Sequence, residues 1–161
     1  ERLGMPHAIN LVHNWINEEV VLFGMPDTIF HPENAYVYLL EDHLSHHADL
    51  TLGLFPTKKP QKFGMVSFTK DHKYEYSIDK PEHTQLEFMW GIACWEKTFT
   101  QFMHSFLAQR RIVGEALLGD VFQAAHQAGL NVRAFPFRDG QYLDIGTPED
   151  LQSIIETTIN P

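Results

Sequence analysis

Short apolar runs alternate with amphipathic segments along most of the chain, and this alternation restricts the fold more than any other feature of the sequence. Residues 20–24 (VVLFG), 49–56 (DLTLGLFP) and 87–95 (EFMWGIACW) have the continuous apolar character of buried strands. Segments with apolar residues at helical spacing lie between and after them, at 32–45 and 96–107. The pattern predicts an α/β protein with a Rossmann-like mixed, mainly parallel sheet flanked by helices.

Turn and capping signals add elements in the middle and at the two ends of the chain. Residues 63–69 and 73–79 lie on either side of a polar turn and are expected to form a hairpin inserted in the sheet. Apolar residues at helical spacing predict a helix over residues 5–18. Gly129 suits the C′ position of the helix before it, and Thr147 suits the N-cap of a last helix.

Composition limits the classes of function. The 161 residues are enough for one domain with a buried core, and we expect 1–161 to form a single domain. A formal net charge of −9 argues against a nucleic-acid groove, which requires clustered Lys and Arg. No apolar run reaches the ~18 residues of a membrane span, and the single Cys94 rules out an internal disulfide framework. We therefore expect a cytoplasmic protein that binds neither nucleic acid nor membrane, with enough Leu, Phe and Trp for a homo-oligomer interface.

Two aspartates that follow apolar strands are the first candidates for chemistry. Asp27 comes just after residues 20–24, and Asp144 ends the predicted strand QYLDI. In open α/β sheets ligands gather beyond the carboxyl ends of strands, and a hard cation such as Mg²⁺ prefers carboxylate oxygen. Two such groups would share one Mg²⁺ that bridges the phosphates of a nucleotide. Taken singly, each aspartate is also explained as a turn former, because Asp favours turns through local hydrogen bonds.

Several other residues allow a functional and a structural interpretation. Asp79 and Lys80 lie at the end of the hairpin. In the functional interpretation Lys80 binds a ligand phosphate and Asp79 accepts a hydrogen bond from a ligand hydroxyl. In the structural interpretation both residues lie on a solvated hairpin end. Gly91 interrupts an apolar strand, which marks either a close approach by a ligand or another backbone, or a β-bulge. The histidines of HLSHH (43–47) suit a helix C-terminus better than a zinc site, and Cys94 suits a core thiol.

These pieces occur in the order found in the sugar-1-phosphate nucleotidyltransferases, also called nucleotide-sugar pyrophosphorylases. The chain resembles that family over nearly its whole length, and the glucose-1-phosphate thymidylyltransferase type looks most similar. The segments that carry the resemblance are LGMPHAI, VVLFGMPDTIF, FGMVSF, YSIDKP, MWGIACW and YLDIGTPEDL. The resemblance implies the nucleotide-diphospho-sugar transferase fold and a reaction between a nucleoside triphosphate and a sugar 1-phosphate, which gives a nucleotide-sugar and pyrophosphate.

The resemblance also implies roles for individual residues. Asp27 and Asp144 would hold Mg²⁺ as catalytic metal ligands, and Lys80 would hold the sugar phosphate. Asp79 would accept from a sugar hydroxyl. The glycines would allow close approach: Gly4 to the nucleobase, and Gly64 and Gly91 to the sugar phosphate.

The chain also departs from the family pattern near the sugar. Asp79 replaces the usual Glu and is one methylene shorter, and Trp90 stands where a small hydroxylated residue is common. Met25 and Pro26 lie between Gly24 and Asp27, where the family usually has Gly-Asp directly. Each departure bears on which sugar the site would accept.

One part of the family pattern has no counterpart. The family's first strand is followed by a Gly-rich loop with an arginine, which cradles the triphosphate, and nothing in 1–161 resembles that loop. Backbone N–H groups and basic side chains must offset the charge of the triphosphate. We therefore expect the chain to be the C-terminal two-thirds of a longer domain, inactive by itself. The alternatives are a non-catalytic, regulatory relative that binds nucleotide-sugar, and a structural α/β domain whose acids are turn formers.

Overall fold

The computed structural model describes residues 3–16, 20–109 and 114–152. Its strands are β1 (Val21–Gly24), β2 (Thr28–His31), β3 (Leu50–Pro56), β4 (Gly64–Phe68), β5 (Tyr74–Asp79), β6 (Phe88–Trp95), β7 (Val132–Pro136) and β8 (Gln141–Asp144). Its α-helices are α1 (Met5–Asn10), α2 (Ala35–Ser45), α3 (Lys97–Gln109) and α4 (Leu118–Gln127). Two 3-10 turns lie at His13–Trp15 and Pro60–Lys62, and residues 148–152 begin a further helix.

Strand β6 is the centre of a six-stranded sheet. It pairs along its length with β3 on one side, and β1 and β4 pair with different parts of it on the other side. Strand β3 also pairs with β7, and β4 with β5. Its central place fits its sequence, because β6 is the longest continuous apolar strand and its last five residues are buried.

The mixed α/β sheet flanked by helices is confirmed, but the expectation of a mainly parallel sheet is wrong for adjacent strands. Within the described ranges, β3 and β7 are the one neighbouring pair that runs parallel. Strands β1, β3, β4 and β7 do share one direction. Strand β6 separates β1 and β4 from β3 and β7 and runs in the opposite direction, which an alternation pattern cannot reveal.

Two hydrophobic clusters cover the two faces of the sheet. On one face, Phe99, Met103 and Leu107 of α3 are buried against Val121 and Phe122 of α4 and the sheet. Their spacing of four residues places the α3 side chains on one side of the helix. Burial of each such side chain stabilises the fold by about 1.5–3 kcal/mol. The other face is covered by α2 and by a two-stranded ribbon in which β2 pairs antiparallel with β8.

The first helix is shorter than predicted. A helix was expected over residues 5–18, whereas α1 ends at Asn10 and a 3-10 turn follows; residues 17–19 lie outside the described part. The imidazole of His13 donates from Nδ1 to the carbonyl oxygen of Asn10 at 2.7 Å. That carbonyl would otherwise accept from the N–H four residues on, so a side-chain contact competes with helix continuation.

Other expectations are partly corrected. Strand β2 was not predicted, and α2 begins at Ala35 rather than at Pro32. Leu22 of β1 is 45% exposed, so the expected covering of both faces of that strand is wrong there. The β4–β5 hairpin is confirmed, and so is the C′ position of Gly129, whose φ is 90°. Among the described residues, every helix is too short or too polar to cross a bilayer.

Candidate functional site

A cavity of about 350 Å³ opens where β1 ends and β6 begins. Its wall is built from the turn after β1, the ends of the β4–β5 hairpin, the first half of β6, residues 115–119 before and within α4, and the end of β8. Of the seven residues with predicted roles, six line this cavity: Asp27, Gly64, Asp79, Lys80, Gly91 and Asp144. The structure thus brings together residues that are more than 100 positions apart in the sequence.

The pairing of β2 with β8 brings the two aspartates together. Thr28 is opposite Asp144 in this ribbon, and the backbone N–H of Ile145 donates to the carbonyl oxygen of Asp27 at 2.9 Å. Both carboxylates lie against Gly146: a Cβ added there would be 2.7 Å from Asp27 Oδ2 and 3.1 Å from Asp144 Oδ1. The glycine at 146 leaves room for both carboxylates, because a Cβ there would displace the Asp27 carboxylate from its present position.

This pair of carboxylates fits a magnesium ion. Mg²⁺ is usually held by one or two carboxylates together with substrate phosphates, rather than by a cage of protein ligands. Asp27 is exposed, and Asp144 is half-buried and accepts from the N–H of Gly146 at 2.8 Å, which orients it. The described residues contain no group of three or more His, Cys, Asp or Glu side chains able to hold a metal. The remaining ligands would therefore come from phosphate and water.

The end of the hairpin presents Asp79 and Lys80 to the same cavity. Asp79 is paired with Gly64 across the hairpin. Lys80 has a φ of 43°, in the left-handed region that non-glycine residues seldom adopt. Its N–H donates to the carbonyl oxygen of Phe63 at 3.0 Å, which helps to hold that conformation. Such backbone strain costs about 1–3 kcal/mol and tends to occur at functional sites.

Gly91 lies at a β-bulge, as one of its two interpretations predicted, while close approach by a ligand stays a prediction. The register between β3 and β6 shifts at this point, so that Gly91 is the extra residue of a β-bulge. The ring of Tyr142 also lies against it, and a Cβ on Gly91 would be 2.5 Å from that ring. Burial raises the pKa of the Tyr142 hydroxyl to about 12. Tyr142 therefore stays protonated at neutral pH beside Asp144.

The other two predicted glycines are each packed against a neighbour. The indole of Trp90 lies over Gly64 within the cavity. Gly4 has a φ of 91° and packs on the backbone of Ala116, whose N–H donates to the carbonyl oxygen of Leu3 at 3.0 Å. Gly4 does not line the cavity, although its neighbours Met5 and Ala116 do.

Sequence reasoning missed several wall residues, notably Lys62 and Glu115. Lys62 Nζ donates to both carboxylate oxygens of Asp150, at 2.7 and 2.9 Å. This hydrogen bond raises the pKa of Lys62 and lowers that of Asp150. The partners are 88 residues apart in sequence, so no local pattern signals the contact. The sequence offered only the position of Lys62 two residues before Gly64.

Two of the weaker candidates lie away from this cavity. His43 is buried near Thr51, with Nδ1 2.9 Å from the Thr51 hydroxyl. Cys94 is buried in the α2-side cluster, and burial raises its pKa to about 12, as expected for a core thiol. The structural interpretation of both residues therefore agrees with their places in the fold.

Comparisons with known proteins agree with this architecture. A putative glucose-1-phosphate thymidylyltransferase from Bacillus anthracis is similar in structure, with a TM-score of 0.80, 17% identity, and coverage of 100% of this chain and 63% of that one. The inositol-1-phosphate CTP transferase from T. maritima gives a TM-score of 0.74, 20% identity, and coverage of 97% and 61%. UDP-glucose pyrophosphorylase from Acinetobacter baumanii gives a TM-score of 0.74 and 16% identity, with coverage of 97% of this chain and 56% of that one.

The chain thus spans roughly three-fifths of the length of these structures, and at such identities the similarity shows the fold alone. No curated protein matches the chain in sequence. The sequence profile of the Nucleotidyl transferase family, however, matches residues 1–160. Since the profile covers nearly every residue and the fold agrees with it, the chain belongs to the nucleotidyl transferase family.

Proposed function

We propose that the protein of which this chain is part transfers a nucleotidyl group from a nucleoside triphosphate to a sugar 1-phosphate and releases pyrophosphate. One observation carries the proposal: the carboxylates of Asp27 and Asp144 meet at Gly146 on the wall of a cavity that also contains Lys80 and Asp79. Two carboxylates beside an ammonium group suit a site that binds a metal ion together with phosphate. Family membership supports the same reaction class.

The charges of the cavity wall explain why a cation is needed. The described wall contains four carboxylates, Asp27, Asp79, Glu115 and Asp144, and the ammonium groups of Lys62 and Lys80. A polyphosphate would be repelled by this excess of negative charge. When bound between Asp27 and Asp144, Mg²⁺ would supply charge neutralisation and a fixed contact for the phosphates. Lys80 would hold the phosphate of the acceptor, and Asp79 would accept from one of its hydroxyls.

The reaction needs positioning rather than a covalent intermediate. A phosphate oxygen of the sugar 1-phosphate attacks the α-phosphorus, the bond to the β-phosphate oxygen breaks, and pyrophosphate leaves with that electron pair. Lys80 holds the attacking phosphate, and its left-handed backbone sets the direction in which its side chain leaves the hairpin. The hydrogen bond between the Tyr142 and Thr28 side chains joins β8 to β2, and the N–H of Gly146 orients Asp144.

Pyrophosphate release from the full-length protein tests the proposal. Each of the common nucleoside triphosphates is combined with a panel of sugar 1-phosphates in the presence of Mg²⁺. We expect release with at least one combination, loss of release with excess EDTA, and a strong reduction in Asp144→Asn. Binding of nucleotide-sugar without any turnover would instead favour the non-catalytic relative. Unchanged turnover in Asp144→Asn would contradict the metal assignment.

A further inference from the structure

Trp90 has a place in the cavity that the reaction itself does not explain. Its indole lines the cavity and packs edge to face on Phe122 of α4, with ring centroids 5.2 Å apart. It also lies over the backbone of Gly64, because a Cβ built on Gly64 would be 2.5 Å from Trp90 Nε1. The ring is therefore held between α4 and β4, and β4 leaves room for it by having a glycine at this position.

The β-bulge at Gly91 turns Trp90 toward this side of the sheet. After the bulge, Ile92 packs into the cluster on the α2 face and Ala93 into the cluster on the α3–α4 face. Strict alternation along a strand would place residue 90 on the α2 face with Ile92. The extra residue of the bulge reverses the alternation, and Trp90 instead packs against the α3–α4 cluster.

Two polar groups meet at this end of the cavity. Trp90 Nε1 and Asp79 Oδ1 lie 2.5 and 3.8 Å from one point, the place of a Cβ on Gly64. Across the ranges that the structure describes, neither atom has a hydrogen-bond partner. An indole N–H can only donate and an ionised carboxylate can only accept. The two groups therefore complement a ligand group that both donates and accepts at one atom, as a hydroxyl does.

We infer that Trp90 and Asp79 together recognise one unsubstituted hydroxyl of the phosphorylated acceptor, an inference that rests on the proposed function. The hydroxyl donates to the Asp79 carboxylate and accepts from the Trp90 N–H. The indole also excludes a bulky substituent at that position, because an acetamido group would have to displace a ring wedged between Gly64 and Phe122. The acceptors of this site are sugar or polyol phosphates with a free hydroxyl there, rather than N-acetylated sugar phosphates.

Direct binding measurements on the full-length protein test this inference. The probes are the 1-phosphates of glucose, galactose, mannose and myo-inositol, and those of N-acetylglucosamine and N-acetylgalactosamine, titrated by calorimetry and by tryptophan fluorescence. We expect at least one unsubstituted probe to bind at least about tenfold more tightly than both N-acetylated probes. Trp90→Ser should reduce that ratio to about one, because it removes the bulk that excludes the acetamido group.

Trp90→Phe keeps an aromatic ring but removes the indole N–H, so it separates the effect of side-chain bulk from the effect of the hydrogen bond. It also disturbs the packing on Phe122 less than Trp90→Ser does. It should still exclude the N-acetylated probes, and it should bind the preferred probe about three- to tenfold more weakly because the donor is lost. Loss of the binding-induced fluorescence change in Trp90→Phe would place the ligand beside Trp90. The weaker binding of the preferred probe, with exclusion of the N-acetylated probes retained, reports the missing N–H donor, which a purely structural role would not produce. Thermal unfolding verifies that each variant is folded. If Trp90→Ser is not folded, the inference is tested by the affinity ratio of the wild-type protein and the binding of the preferred probe to Trp90→Phe.

The outcomes distinguish this inference from the function on which it rests. If an N-acetylated probe binds the wild-type protein as tightly as the unsubstituted probes, the inference is overturned while nucleotidyl transfer stands. The same follows if Trp90→Ser leaves the ratio unchanged. If none of the six probes binds and no pyrophosphate is released with any of them, the proposed function fails and the inference fails with it.

Discussion

Two groups of acidic side chains lie at the two ends of strand β6, and they differ in whether they have polar partners within the protein. At its beginning lie Asp27 and Asp144, which converge on Gly146 and for which no ion pair with Lys, Arg or His is found in the described parts of the chain. Just beyond its other end lies Glu96, whose Oε1 is 3.5 Å from Nε2 of the buried His43. The first group lines the site cavity without an ion-pair partner among the described residues. The second group contacts side chains and backbone of the fold, although Asp49 and Glu96 also line a second cavity.

Two acids at the second end, Asp42 and Asp49, have close polar partners within the protein. Asp42 Oδ2 is 3.2 Å from Nε of Arg133, and the two side chains are 10% and 8% exposed. Asp42 also contacts His46 at 3.3 Å, and Asp49 Oδ2 accepts from the backbone N–H of Asn131 at 2.8 Å. These contacts join α2, β3 and β7, so the charges stabilise the tertiary structure.

The difference separates acids that have partners inside the protein from a pair of acids for which none is found among the described residues. A buried charge with its partner can be retained for stability, but its partner cannot then be exchanged for a ligand. Two carboxylates side by side without a cation repel each other, which destabilises the folded protein unless something of opposite charge binds. A cation bound beside Asp27 and Asp144 would relieve this repulsion.

The largest effect should come from removing a charge at the cavity. Asp27→Asn should reduce the turnover of the full-length protein by at least about 100-fold, because a preorganised charge contact is lost. The free energy of unfolding should stay the same or rise, since repulsion between Asp27 and Asp144 is relieved. Pyrophosphate release and urea unfolding measure the two quantities. A loss of stability as severe as the loss of turnover would show that Asp27 is a structural acid after all.

The matched substitution at the other end of β6, Asp42→Ala, should lower stability and leave turnover unchanged. Asp42→Ala leaves the nearly buried Arg133 without its carboxylate and should lower the free energy of unfolding by about 3 kcal/mol. Turnover below the melting temperature should be unchanged, because neither residue lines the cavity. Asp42→Asn keeps one acceptor oxygen and should lose less stability. If Asp42→Ala abolished turnover in folded protein, the two ends would not be independent.

A third change acts on the cavity through packing alone. In Gly91→Ala the new methyl would overlap the ring of Tyr142 and come within 3.0 Å of Phe55, so stability should fall by about 1–3 kcal/mol. Turnover should fall as well, because Tyr142 and Asp144 share strand β8. Gly119→Ala is the control for stability: its methyl would meet only the Ser77 hydroxyl at 3.3 Å, and better helix propensity should offset that contact. Equal changes in the free energy of unfolding for Gly91→Ala and Gly119→Ala would contradict this explanation by steric overlap.

The smallest effect concerns pH at the structural end. Burial lowers the pKa of His43, against the opposing pull of Glu96, Asp42 and Asp49. The unfolded chain therefore binds this proton more readily, so stability is complete above the ordinary pKa of about 6.5 and falls as the pH drops below it, by at most about 1.4 kcal/mol per pH unit. Denaturant unfolding between pH 8 and 5, compared with His43→Gln, isolates this contribution; a variant with the same pH slope would exclude His43 as its source.

Much of the site could be predicted because its residues carry local signals. Asp27 and Asp144 each follow an apolar run, and Lys80 follows a hairpin strand, so their placement at strand ends was visible in the sequence. Lys62 carried almost no signal, since its contact with Asp150 spans the chain. The roles of all these residues stay predictions until they are measured, whereas their common location is described by the structure.

The sequence by itself determined the local elements: where apolar runs become strands, where helices begin and end, and that acids follow two of the strands. These depend on periodicity and capping, which act over a few residues. Only the tertiary structure decided that β6 separates strands of equal direction, that β2 and β8 pair to bring Asp27 beside Asp144, and that a bulge at Gly91 turns Trp90 into the cavity. Such decisions depend on contacts between residues distant in sequence, for which no local pattern exists, and the chemistry of the cavity follows from them.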